Sequence, residues 1–154
     1  MSHNQVTIEI IFPSELGYEK IARDAIGTLA RNMGFDAERV EDLRTALSEA
    51  CINAIEHGNQ RQAHLRIHIT CTISRNRLVI VVSDEGLRFH PSTRLDPASM
   101  EQKLAGLASA RGMGLMLIGQ LVDECGFLPS RPGQGNHFRL AMYNPPRRSA
   151  TNIA

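Results

Sequence analysis

The fold class predicted by this chain is an α+β two-layer sandwich, a mixed and mostly antiparallel sheet with helices on one face. Three observations predict it. Hydrophobic spacing changes between helical and alternating periods along the chain. The segments run strand, helix, helix, strand, strand, long loop, helix, strand, strand, blocks that favour an antiparallel or mixed sheet over repeated βαβ units. No internal repeat breaks that order.

The length of 154 residues fits one domain that buries roughly two-thirds of its unfolded surface. We expect that domain to occupy 1–145, with 146–154 as a flexible tail. Hydrophobic residues at 42% and charged residues at 21% are the composition of a soluble globular protein, and no apolar run approaches the roughly 18 residues of a membrane span. The start MSHNQVTIEI lacks a basic patch followed by an apolar core, so no secretion signal and a cytoplasmic location are expected. Cys51, Cys71 and Cys125 are odd in number, widely spaced and set in apolar segments, which favours buried reduced thiols over a disulfide framework or a zinc site. A net charge of +1 gives no electrostatic reason for a nucleic-acid partner, and Arg147 and Arg148 read as solvated tail residues.

In chain order, Val6 to Phe12 is β-branched, ends at Pro13 and reads as a strand. Ser14 then reads as a helix N-cap, with Leu16, Ile21, Ala25, Ile26 and Leu29 at helical intervals, Gly27 as a local weakness and Gly34 as the stop. Asp36 caps the next helix, whose stripe of Val40, Leu43, Leu47, Ala50, Cys51 and Ala54 recurs every three or four residues. From Ala63 the period becomes two, with Leu65, Ile67, Ile69, Cys71 and Ile73 alternating with polar residues. His64 and His68 share the polar face, but four strand residues separate them by about 13 Å, too far to chelate one metal. After a tight connection at Arg75 and Asn76, Leu78 to Val82 is an apolar run expected of a strand covered on both sides. Glu85 to Ala110 is a long loop with a short helix around Ala98 to Leu107, and loops of that length are usually functional or disordered. Arg111 to Glu124 is helical, and strands near Cys125 to Leu128 and His137 to Tyr143 flank the turn PGQGN.

The stretch ALSEACINAIEHGN, Ala46 to Asn59, sets Glu49 and Asn53 one helical turn apart, opposite the apolar stripe, and stops at Gly58. A Glu and an Asn in that position form either a solvated polar face or the ligand side of a helix whose stripe packs on a sheet. Neither a G-x-x-x-x-G-K-S/T phosphate loop nor a G-x-G-x-x-G after a first strand is present. Arg111 to Leu115, RGMGL, opens a helix after a loop, so it is either a plain loop-to-helix junction or a phosphate cradle of free N–H groups and close-packing glycines. Phosphates bound there need a divalent cation, and Mg²⁺ prefers oxygen ligands such as the Asn53 carbonyl. Glu49 is then placed to orient or deprotonate an attacking hydroxyl, and Asp84, at the end of a buried strand, to accept a hydrogen bond from the adenine amine.

Leu47 to Asn59, Asp84 to Gly86 and Arg111 to Ile118 with Val122 to Glu124, plus a weaker match at Gly133 to Asn136, resemble in order and spacing the motifs of the GHKL ATPase superfamily with its Bergerat (histidine kinase-like ATPase) fold. In particular they resemble the anti-sigma factor serine/threonine kinases of partner-switching systems. The resemblance covers nearly the whole chain. It implies ATP and Mg²⁺ as cofactors, Asn53 as the Mg²⁺ ligand, Glu49 as the catalytic base and Asp84 as the adenine-binding aspartate. It further implies that Gly112 and Gly114 form the hinge of an ATP lid spanning about 85–110, and that His57, Gly86, Arg88, Arg111, Met113, Leu115 and Asn136 lie at the nucleotide. The implied substrate is a serine or threonine on a STAS-domain antagonist, with a sigma factor as a second partner and homodimers common. The chain departs from the family's pattern at Arg88, where a second glycine is usual, and at Asn136, where a threonine is frequent; Glu49 and Asn53 are kept. Two other readings accompany this one, a non-catalytic module whose ATP or ADP occupancy gates partner binding, and a detached histidine-kinase ATPase domain without its dimerisation helices.

Overall fold

The computed structural model describes residues 4–86 and 110–145. The elements are β1 (Val6–Pro13), α1 (Glu19–Asn32), α2 (Ala37–Asn53), a π-helical turn (Ala54–Gly58), β2 (Arg66–Ser74), β3 (Arg77–Ser83), α3 (Ala110–Leu121), β4 (Glu124–Phe127) and β5 (His137–Tyr143). The five strands form one sheet in the order β1-β2-β3-β5-β4. Every pairing among the described residues is antiparallel, so the mixed sheet allowed by the sequence resolves to its antiparallel form. The short helix expected around 98–107, the loop from 87 and the tail from 146 lie outside the described residues.

One face of the sheet carries the core. Ile67, Ile69 and Cys71 of β2, Leu78, Ile80 and Val82 of β3 and Phe138, Leu140 and Met142 of β5 are buried beneath the helices. The alternation in β2 is thereby borne out. Among the described residues the run Leu78 to Val82 is not covered on both sides as expected, because Val79 and Val81 are half-buried on the far face, where no described helix packs. An antiparallel sheet needs only one buried face, and consecutive β-branched residues satisfy strand preference on the other.

Asp36 caps α2 as expected, its carboxylate accepting the Arg39 N–H at 2.9 Å. Val40, Leu43, Ala46, Leu47, Ala50 and Cys51 of α2 face the core, between α1 and α3. Its far end is tied to the opposite edge of the sheet by Arg39, whose guanidinium lies 2.6 Å from Asp123, and Asp123 also accepts the Tyr143 N–H at 2.7 Å. The first helix differs from expectation. Ser14 is buried and its N–H donates to the Leu65 carbonyl at 3.0 Å, so it extends the β1 edge rather than capping a helix. The helix begins at Glu19, whose carboxylate turns back onto the Gly17 N–H. Its buried side is Ala22, Ile26 and Ala30, while Leu16 and Ile21 stay 54% and 61% exposed and Ala25 faces outward. Small alanines let α1 approach α2 closely, and that phase overrides the one suggested by the larger side chains. Gly34, at φ +88°, terminates α1 as expected.

The cysteines follow the sequence reading. All three are free, Cys51 and Cys71 buried and Cys125 partly so. Burial pushes the Cys71 thiol up to about 12 and the Cys125 thiol up to about 11.

Candidate functional site

Where α2 leaves the core it crosses the ends of β3 and β5, and a cleft opens between these elements and α3. Ala50, Ala54, Val82, Leu115, Phe127 and Phe138 make its apolar walls, and Asn53, Asp84 and Asn136 supply the polar groups. Phe127 meets Phe138 edge-on at 5.0 Å between ring centres. Flat apolar walls with few converging polar groups suit a planar heterocycle.

The α-helix gives way to the π-helical turn directly after Asn53. The Asn59 N–H closes that turn on the Ala54 carbonyl at 2.8 Å. A wider turn of this kind shifts the backbone relative to the preceding helix, a device common at functional sites. Here it brings Gly58 against Asp84, where a β-carbon on the glycine would stand 2.0 Å from Asp84 Oδ2.

Asp84 is the best-held carboxylate of the cleft. Its Oδ1 accepts the backbone N–H groups of Gly86 and Asn136, each at 3.0 Å, and the Asn136 side-chain amide lies 3.3 Å from both carboxylate oxygens. Burial raises its pKa above the ordinary value of 3.8, and these donors, with the charge at His137, act in the opposite direction. Gly135 permits the close approach. A β-carbon there would meet the Asp84 carbonyl oxygen at 2.0 Å, and its φ of +74° suits glycine in any case.

Glu49 and Asn53 lie one turn apart on the half-buried side of α2, and α3 closes over them through Gly114. A β-carbon on Gly114 would stand 3.0 Å from Glu49 Oε2 and 3.5 Å from Asn53 Nδ2. The Asn53 amide nitrogen is buried and has no hydrogen-bond partner among the described residues. A buried unsatisfied donor is costly, and an oxygen-rich anion beside it removes that cost. No group of three or more His, Cys, Asp or Glu side chains that could hold a metal occurs among the described residues. The Asn53 carbonyl oxygen is a ligand of the kind Mg²⁺ accepts, since that cation takes one or two protein ligands and completes its shell with phosphate oxygens and water.

The other sequence-predicted residues divide by position. Leu115 lines the cleft, Met113 is 69% exposed on α3, and His57 is half-buried in the π-helical turn. Arg111 and Gly112 lie in the first turn of α3, so the RGMGL segment opens a helix as expected. Arg88 lies outside the described residues. Sequence reasoning assigned no role to Gly58, Asn59, Gly135, Phe127 or Phe138. Gly58 and Asn59 lie within the first motif and Gly135 within the fourth, but Gly58 was read individually only as a helix stop, and the phenylalanines as ordinary strand residues.

Comparison with known proteins fixes the family. The profile of the histidine kinase-like ATPase domain matches residues 12–142. The chain belongs to the histidine kinase-like ATPase domain family. Among its relatives, the serine-protein kinase RsbW of Bacillus subtilis (strain 168) is 32% identical over 127 residues, covering 80% of this chain and 79% of the relative. The serine-protein kinase RsbW of Bacillus licheniformis is 33% identical over 120 residues, covering 76% and 74%. A crystal structure of the RsbU and RsbW domains of a Mycobacterium tuberculosis protein superimposes with a TM-score of 0.60 at 16% identity; the alignment covers 90% of this chain but 32% of that one, and speaks for the fold alone. The resemblance to the anti-sigma factor serine/threonine kinases is thus borne out at the level of family. These Bacillus relatives are named as serine-protein kinases, and ATP use comes with the family. None of this chain's described helices is long and apolar enough to cross a membrane.

Proposed function

We propose that the protein transfers the γ-phosphoryl group of Mg²⁺-bound ATP to a serine or threonine of a STAS-domain antagonist, and that in the cytoplasm it regulates a sigma factor by this partner switching. The observation that carries the reading is the joint position of Glu49 and Asn53 against Gly114 at one end of a cleft whose other end holds Asp84. In this scheme Asp84 accepts the adenine amine, and the phosphates run toward Asn53 and the first turn of α3. Glu49 takes the proton of the substrate hydroxyl as its oxygen bonds to the γ-phosphorus and the bond to ADP breaks. Mg²⁺, when bound through Asn53, supplies charge neutralisation for the phosphate oxygens. A homodimer belongs to the same proposal, and the exposed apolar side chains Leu16, Tyr18 and Ile21 near the edge strand β1 support it.

Calorimetric titration with ATP and ADP, with and without Mg²⁺, tests the pocket; incubation with labelled ATP and a STAS-domain protein tests the transfer. Micromolar, Mg²⁺-dependent binding with label appearing on a serine or threonine is expected. Binding without transfer to any STAS-domain protein turns the reading to a nucleotide-gated binding module, and absence of binding by folded protein removes both.

The Asp84 assignment carries its own pH signature. Inosine triphosphate has a carbonyl where ATP has the amine and an N1–H where ATP has a bare N1, but carries the same ribose and phosphates, so titration of the phosphates cancels in a comparison of the two. The amine needs an ionised acceptor. Preference for ATP is therefore complete at neutral pH and falls as pH drops through the pKa of Asp84. Because burial raises that pKa, the fall begins at a higher pH than for an ordinary carboxylate. Asp84→Asn weakens ATP binding and flattens this profile. A wild-type profile that falls no earlier than that of Asp84→Asn rejects the assignment.

A further inference from the structure

Asn59 follows the π-helical turn, is 1% exposed, and uses both ends of its side chain. Its Nδ2 donates to the Arg66 carbonyl at 3.0 Å, where β2 begins, and its Oδ1 accepts the Glu85 N–H at 2.8 Å, one residue after Asp84. Glu85 closes the ring, because its carboxylate accepts the Arg66 N–H. The start of β2, the end of β3 and the run that carries Glu49 and Asn53 are thus joined through one buried amide.

The position of this ring gives it a function. Before Asp84 the backbone is held by the β3 ladder, and the Asp84 N–H donates to the Asn136 carbonyl at 3.0 Å. After Asp84 the chain leaves the sheet, and the first hydrogen bond that fixes it is the one from Glu85 to Asn59. The next is the Gly86 N–H, which returns to Asp84 Oδ1 at 3.0 Å, so the orientation of the carboxylate depends on where Glu85 and Gly86 sit. Helix and sheet are separate layers, and the Asn59 amide is a direct polar link between them at the cleft.

We propose that Asn59 is a positioning residue for nucleobase selection, which through the Glu85 N–H aims the Asp84 carboxylate into the cleft. The proposal rests on the reading of Asp84 as the acceptor for the adenine amine. It differs from a structural role in what it changes. General loosening of the cleft weakens ATP and inosine triphosphate alike, since both carry the same ribose and phosphates. Misdirection of Asp84 weakens ATP alone.

The test is the ratio of the two affinities, measured by calorimetry at neutral pH with Mg²⁺ on wild type, Asn59→Ala, Asn59→Ser and Asn59→Asp, each shown to be folded by circular dichroism. Loss of one buried hydrogen bond from the site corresponds to roughly a tenfold change. In Asn59→Ala and Asn59→Ser, neither of which reaches Glu85, ATP affinity is expected to fall roughly tenfold while that for inosine triphosphate moves less than about threefold. Asn59→Asp keeps the acceptor for the Glu85 N–H and is expected to restore the ratio. A wild-type ratio near one shows that Asp84 does not read the amine, and the proposal falls with that reading. A wild-type preference that survives in Asn59→Ala or Asn59→Ser overturns the proposal alone. So does failure of both variants to fold, since Asn59 would then hold the fold rather than the base.

Discussion

Replacing Glu49 by Ala is expected to remove phosphoryl transfer while leaving ATP affinity within about threefold of wild type. The separation follows from distance along the cleft. The groups proposed to grip the base are Asp84 and the walls formed by Val82, Phe127 and Phe138, and Glu49 is not among the cleft-lining residues. It stands one turn before Asn53, beside the backbone of Gly114, where the reacting phosphate and the incoming hydroxyl are proposed to meet. A positioned general base contributes roughly 10²- to 10⁴-fold to rate, or about 3 to 5 kcal/mol of barrier. Glu49→Gln distinguishes proton removal from orientation. The amide keeps the shape and one acceptor oxygen but is a far weaker base, so a base role predicts equal loss in Ala and Gln. Activity retained in Gln and lost in Ala assigns Glu49 to orienting the hydroxyl instead. Transfer at wild-type rate in Glu49→Ala excludes both roles.

That Glu49 could be singled out at all reflects how the sequence encodes the site. Helical periodicity separates Glu49 and Asn53 from the buried stripe, and Asp84 sits at the end of an apolar run. Spacing thus marked three of the polar groups that converge in or beside the cleft as candidates, and the family resemblance chose between a solvated face and a ligand side. The sheet was legible for a related reason, because the alternation of Ile67, Ile69 and Cys71 is a local pattern that pairing preserves. Where the reading failed, a tertiary contact had overruled a local preference. Ser14 has the chemistry of an N-cap, but its N–H is taken by the Leu65 carbonyl. The larger residues Leu16 and Ile21 suggested one face of α1, whereas the close approach to α2 selects Ala22, Ile26 and Ala30. The glycine contacts and the Asn59 bridge join backbone atoms distant in sequence, and nothing in local composition announces them.

Those glycine contacts yield the second large effect. Neither Gly58 nor Gly86 has a positive φ, so what each position requires is space rather than conformational freedom. At Gly86 a β-carbon would stand 1.7 Å from the Gly58 carbonyl oxygen and 2.5 Å from its carbon, a collision with backbone that no side-chain rotation relieves. At Gly58 it would meet the Asp84 carboxylate at 2.0 Å, a side chain able to move only by leaving its donors on Gly86 and Asn136. Both Gly86→Ala and Gly58→Ala are expected to lower ATP affinity by roughly a hundredfold or more, with stability losses of about 1–3 kcal/mol from overpacking. Their response to a second substitution differs. Asp84→Ala removes the carboxylate atoms that Gly58→Ala strikes at 2.0 and 2.4 Å and leaves only the Asp84 β-carbon, at 2.9 Å, so the double variant should lose less stability than the sum of the two single losses, a departure from additivity. Paired with Gly86→Ala, the same Asp84→Ala leaves the backbone collision in place, and the two stability losses should add. Thermal unfolding of the two double variants beside their single parents measures both couplings. Additivity at Gly58 would mean that its contact with Asp84 is not the close one described, and would remove the steric basis for the role of that glycine in the base cradle.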